Sequence, residues 1–100
     1  AYTGIDELQG VVVRRDGETR EYKLDGLFLA VGLVPQNAPF ADVAALDDRG
    51  YIAAGEDCVT ATPGVFVAGD CRNKQIRQVT TACADGAVAA LAACRYIDSL

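Results

Sequence analysis

Two short runs constrain this chain more than anything else in it. Residues 26–32 (GLFLAVG) and 65–70 (VFVAGD) are apolar at almost every position rather than at every second one. A strand with one wet face alternates; a strand covered on both faces need not, and that pattern belongs to three-layer α/β architectures. Gly32 and Pro35 close the first run and the Gly69-Asp70 pair closes the second. The expected fold class is therefore α/β: a β-hairpin, buried strands and a long C-terminal helix.

The remaining elements follow from local chemistry. Residues 10–24 (GVVVRRDGETREYKL) hold two β-rich runs around Asp16-Gly17, a dipeptide suited to a tight turn with positive φ. Val11, Val13, Tyr22 and Leu24 are expected to share faces, with Arg14, Arg20 and Lys23 in water. Residues 36–50 read as loop or short helix, Asp47-Asp48-Arg49-Gly50 as a turn into a short strand at 51–54, and Pro63-Gly64 as a second turn. A helix is expected from about 78–81 to about Tyr96. Val79, Cys83, Gly86, Ala87, Ala90, Leu91, Cys94 and Ile97 recur along it at helical spacing. Its small residues, Ala82, Gly86, Ala89, Ala90 and Ala93, predict close packing on a neighbour; an interior glycine costs about 0.5–1 kcal/mol relative to alanine, which a close approach would offset.

Composition narrows the partners. The net charge is −5 and Arg14-Arg15 is the sole adjacent basic pair, which argues against nucleic acid and against an anionic membrane surface. No apolar run nears the ~20 residues that span a bilayer. The four cysteines, at 58, 71, 83 and 94, form no CxxC, and there is no histidine. That excludes the usual zinc spacings and a thioredoxin-like redox pair; the thiols read as small buried hydrophobes in a reducing compartment. With no Met in 100 residues, the chain is read as a piece of a longer protein.

Chemistry concentrates where the second run ends. Ligands of parallel sheets bind beyond the carboxyl ends of strands. Asp70 stands at such an end, where its carboxylate can accept hydrogen bonds from vicinal hydroxyls, or simply cap a turn. Gly69 removes a side chain and permits close approach. Arg77-Gln78-Val79-Thr80 opens the helix, whose free N–H groups and positive dipole end favour a group that becomes anionic. A solvated arginine and ordinary capping by Thr80 or Thr81 explain the same residues without any ligand.

Taken together, GLFLAVGLVP at 26–35, GYI at 50–52, Thr60, TPGVFVAGD at 62–70, Arg77-Gln78, Ala82, Asp85-Gly86 and Ala89-Ala90 resemble the low-molecular-weight, flavin-dependent thioredoxin reductases over nearly the whole chain. TPGVFVAGD is shared by many flavoproteins with two dinucleotide folds; GDCRNKQIRQVTTACADGAVAA is more specific. The resemblance implies a partial FAD/NAD(P)-binding three-layer fold, with residues 1–25 as the last strands of an NADPH-binding domain and 26–100 as the C-terminal portion of an FAD-binding domain. It implies that Gly69 and Asp70 meet the ribityl chain and that Arg77, Gln78 and Val79 meet the isoalloxazine ring. It also implies FAD and NADPH as cofactors, thioredoxin as protein partner, a homodimeric parent and a cytoplasmic setting. The family usually has Asn directly after Pro; here the order is Pro35-Gln36-Asn37, and no role is carried onto Asn37.

No GxGxxG phosphate turn and no redox cysteine pair occur, so this segment is expected to be inactive alone. Three alternatives share features of the pattern. Ferredoxin- or flavodoxin-NADP reductases have the same architecture, the alkyl hydroperoxide reductase flavoprotein typically has Lys where Arg77 stands, and a non-enzymatic α/β module would need no Asp70-to-Gln78 constellation.

Overall fold

The computed structural model describes residues 1–100. They form two units, Ala1–Gly32 and Leu33–Leu100.

The first unit is a three-stranded antiparallel sheet with β2 in the centre: β1 (Tyr2–Thr3), β2 (Gly10–Arg15) and β3 (Glu18–Lys23). Arg15 pairs with Glu18, leaving Asp16 and Gly17 as a two-residue turn with φ of 53° and 83°. Positive φ at both centres is the hairpin geometry whose twist matches the flanking strands. Arg14, Arg20 and Lys23 meet water as expected. Val13 pairs with Arg20 and Val11 with Tyr22, so Arg20 shares a face with the two valines while its side chain stays exposed. β1, pairing Tyr2 with Val11, was not legible; two residues carry no period.

Residues 26–32 form no ladder. Phe28 is 99% and Val31 89% exposed. The run has the composition of a doubly covered strand, but strand structure is made by hydrogen bonds to neighbours, and no other segment of the chain pairs with it.

The second unit is built around Ala44, Ile52 and Val67, with Leu46, Ala54, Val65 and Cys71 packed against them. Its backbone is held by single bridges instead of the strands expected at 51–54 and 65–70: Leu46 to Ile52, Ile52 to Arg72, and Val59 to Phe66. Both expected turns are present. Asp47 Oδ1 accepts the N–H groups of Arg49 and Tyr51 at 2.9 Å each, and the Val65 N–H closes the Pro63-Gly64 turn on Thr62 O at 3.1 Å. A short 3-10 turn occupies Ala38–Phe40 and another Gly69–Cys71.

The helix, α1, runs Val79–Asp98, as its spacing predicts. The face it buries is different. Asp85 and Ala92 point inward, and Tyr96 packs edge-on against Phe66 with ring centroids 6.0 Å apart. The apolar stripe from Val79 to Ile97 lies outward: Val79, Cys83, Gly86, Ala87, Ala90, Leu91, Cys94 and Ile97 are all exposed. Nothing in the chain approaches within 4 Å of a side chain built at Gly86, so the close packing expected there is not made within these residues.

The cysteines divide accordingly, which corrects the expectation that all are buried. Cys58 is buried, Cys71 half-buried, and Cys83 and Cys94 exposed. Burial first, then the nearby Asp85 carboxylate, raises the Cys58 thiol above its ordinary value. The thiolate is the reactive form. Timed N-ethylmaleimide labelling of this chain at pH 8, followed by peptide mass spectrometry, is expected to modify Cys83 and Cys94 first and Cys58 only on unfolding. Early modification of Cys58 would contradict this burial.

Candidate functional site

The Gly69–Cys71 turn follows the second apolar run directly, and Gly69 takes φ of +80°. That left-handed conformation disfavours a side chain; one built there would also sit 3.6 Å from Ala82 Cβ on α1. The chain then turns back toward the helix start. The Arg77 Nε donates to Asp70 O at 3.1 Å and its Nη2 to Arg72 O at 3.3 Å. Its guanidinium lies 3.8 Å from the centroid of the Tyr51 ring, within the range of a cation–π contact.

These contacts bring Asp70 and Arg77 to one pocket of about 250 Å³, lined also by Leu33–Asn37, Tyr51 and Cys71. Asp70 is exposed and its carboxylate takes part in none of the chain's ion pairs. Gly69 is buried just behind it. Gln78 and Val79 do not line this pocket. They open the first turn of α1, exposed to solvent, with the Gln78 N–H on Thr81 Oγ1 at 3.2 Å. The Gln78 side chain in turn accepts the Thr81 N–H, so the two residues cap the helix reciprocally.

Sequence reasoning missed the polar residues that hold this arrangement. Arg72, in what reads as a solvated loop, is 1% exposed. Its Nε and Nη2 each donate to the Asp85 carboxylate at 3.1 Å, and its Nη1 donates to Gly55 O at 3.1 Å. Lys74 Nζ reaches the same carboxylate at 2.9 Å, as does the Gly69 N–H at 3.0 Å. Hydrogen bonds from Arg72, then from Lys74 and the Gly69 N–H, outweigh burial and hold the Asp85 carboxyl far below the usual carboxylate range. Glu56, itself exposed, completes the pairing on Arg72 at 3.3 Å. No pattern in the sequence distinguishes Arg72 from Arg77, since the burial of Arg72 depends on an acid 13 residues away along the chain.

Asn37 is the other omission. No role was expected there, yet it is buried, and its Nδ2 donates to Gly50 O at 3.0 Å and Cys71 O at 2.9 Å. It ties the 33–37 wall of the pocket to the Tyr51 side and to the Asp70 loop.

Comparison with known proteins adds the family. The model of the pyridine nucleotide-disulphide oxidoreductases matches residues 1–86. The chain belongs to that family. Among its relatives, a thioredoxin reductase of Treponema pallidum is 42% identical over 102 residues, covering 100% of this chain and 33% of that protein. A thioredoxin reductase of Bacillus subtilis is 38% identical over 84 residues, covering 84% of this chain and 27% of that protein. The crystal structure of Lactococcus lactis thioredoxin reductase superposes with a TM-score of 0.79 at 37% identity, over 99% of this chain and 34% of that one. This segment of a pyridine nucleotide-disulphide oxidoreductase therefore spans about a third or less of the length of these relatives. The α/β fold class agrees with these structures. No helix in it is long and apolar enough to cross a membrane.

The donor set suits a flavin's sugar-like chain and ring. A free carboxylate beside a glycine can accept from vicinal hydroxyls, and the positive end of a helix dipole favours an electron-rich heteroaromatic edge.

Proposed function

We propose that this chain is the part of an NADPH-dependent thioredoxin-disulphide reductase that lines the ribityl and isoalloxazine portion of its FAD site. The observation that carries the reading is the shared pocket of Asp70 and Arg77 beside the mouth of α1. The thioredoxin reductases among the relatives support it.

In this reading residues 1–25 end the NADPH-binding domain and residues 26–100 belong to the FAD-binding domain. The rest of a protein three times as long supplies the sheet neighbours for 26–32, the cover for the outward stripe of α1, both phosphate turns and the redox cysteine pair. FAD, when bound, supplies the two-electron relay from NADPH to that cysteine pair and on to thioredoxin. The chain's own residues bind and orient. Asp70 accepts hydrogen bonds from ribityl hydroxyls while Gly69 allows the close approach. Arg77, anchored over Tyr51, adds positive charge at the ring's edge, and the Gln78–Val79 turn directs the positive end of the helix dipole there. That arrangement stabilises negative charge on reduction without a side-chain proton transfer. The parent is read as a homodimer. Four free thiols fit a cytoplasmic, reducing setting.

The test is Asp70→Ala in the full-length flavoprotein. It is expected to release FAD on dialysis, with FAD affinity at least tenfold weaker by flavin fluorescence, while the melting temperature of the apoprotein stays near wild type. Retention of flavin equal to wild type would remove the ribityl role. NADPH-dependent reduction of thioredoxin by the wild-type protein separates this reading from that of a ferredoxin-type reductase.

A further inference from the structure

We propose that Asp85 is the positioning residue of the FAD-facing loop: gripping the Gly69 N–H and the Arg72 guanidinium, it holds the turn in the arrangement that presents Asp70 and Arg77 to one ligand. The inference rests on the proposed flavin site and adds to it a residue that lines no part of that pocket.

Three residues of one short loop converge on a single carboxylate carried by α1. Oδ2 accepts from the Gly69 N–H at 3.0 Å, Arg72 Nε at 3.1 Å and Lys74 Nζ at 2.9 Å, and Oδ1 accepts from Arg72 Nη2 at 3.1 Å. The consequences run in two directions. Gly69 immediately precedes Asp70, so the bond to its N–H fixes the Ala68–Gly69 peptide from which the turn carrying the acid departs. Arg72, held from its side chain, offers its own carbonyl to Arg77 Nη2, while Asp70 O takes Arg77 Nε. Asp85 thus reaches both candidate ligand groups through the backbone without touching either side chain.

A role limited to filling the core would leave these contacts unexplained. A buried ion pair is often replaceable by apolar residues of similar volume with little loss of stability, but an apolar side chain at position 85 cannot accept the Gly69 N–H. Stability and orientation are therefore separable by mutation, and small misplacements of a binding group are costly to the site it serves.

The experiment uses the full-length flavoprotein and compares Asp85→Asn, Asp85→Glu and the triple variant Asp85→Leu/Arg72→Met/Lys74→Met, which removes both buried cations along with their acid, with wild type and Asp70→Ala. Apoprotein melting temperature reports folding; FAD dissociation by fluorescence and the visible circular dichroism of bound flavin report orientation. The triple variant is expected to melt near wild type yet bind FAD at least tenfold more weakly, with altered flavin dichroism. Asp85→Glu, which keeps the charge and moves the oxygens, is expected to do the same more mildly. Melting temperature and FAD affinity rising and falling together across all three variants would overturn the proposal, as would wild-type FAD binding in Asp85→Glu and the triple variant. If Asp70→Ala weakens FAD and the Asp85 variants do not, the positioning role fails and the flavin site stands; if Asp70→Ala binds FAD normally, the flavin site itself fails.

Discussion

Arg72→Met is expected to destabilise this chain by about 3–5 kcal/mol, the usual consequence of removing one partner from a buried ion pair. The guanidinium is 1% exposed and supplies both bonds of a forked pairing with Asp85. Without it the Asp85 carboxylate keeps only Lys74 and the Gly69 N–H, and the carbonyl of Gly55 loses its donor. Met matches the stem and none of the donors. Urea unfolding followed by circular dichroism checks the figure; a loss below about 1 kcal/mol, the level of an exposed pair, would show that the cluster is not held as described.

The same pair sets a dependence on acid. The folded Asp85 carboxyl titrates well below its unfolded counterpart, whose ordinary value is about 3.9. A depressed folded pKa contributes stability that is fully present above the unfolded value and is lost as pH falls toward the folded one. The urea midpoint of wild type is therefore expected to fall below about pH 4, and Asp85→Asn to lack that part of the slope.

Ile52→Ala is expected to cost about 2–5 kcal/mol, the range for emptying a buried aliphatic site. Ile52 belongs to the small core with Ala44 and Val67, so few neighbours can move in to fill the space. Its backbone also joins the pocket loop: its N–H donates to Cys71 O at 2.9 Å and its carbonyl accepts the Asn73 N–H at 2.8 Å. The loss is thus expected twice, in the urea midpoint and in faster maleimide labelling of Cys71. Slow labelling in a destabilised variant would mean that the core and the Asp70 loop are less tightly joined than these bonds imply.

What was legible in the sequence was local. Asp16-Gly17 specifies its hairpin because the two residues between paired strands must both reach positive φ. The helix from Val79 to Asp98 follows from a twenty-residue span without Pro. Asp70 and Arg77 were legible as neighbours of a strand end and a helix start, and the structure brings both to one pocket. The rest depended on partners distant in sequence. The run at 26–32 has the composition of a covered strand, but composition cannot provide a pairing edge. The stripe on α1 was legible as apolar; the face turned inward within these residues was not, because it carries Asp85, a charged residue that periodicity assigns to water. Arg72 and Asn37 were unreadable for the same reason: each is buried by bonds to groups 13 or more residues away.

One arginine that serves a helix, a glycine-led turn and two neighbouring loops also shapes how the family can vary here. Positions 56, 72, 74 and 85 share atoms as partners, and residues in one such network do not contribute independently. Their replacements will be epistatic: a neutral side chain tolerated at 85 when 72 and 74 are also neutral will be harmful when either keeps its charge. Sequence drift through this corner must pass by paired exchanges, and a library that randomises one position at a time will find few survivors.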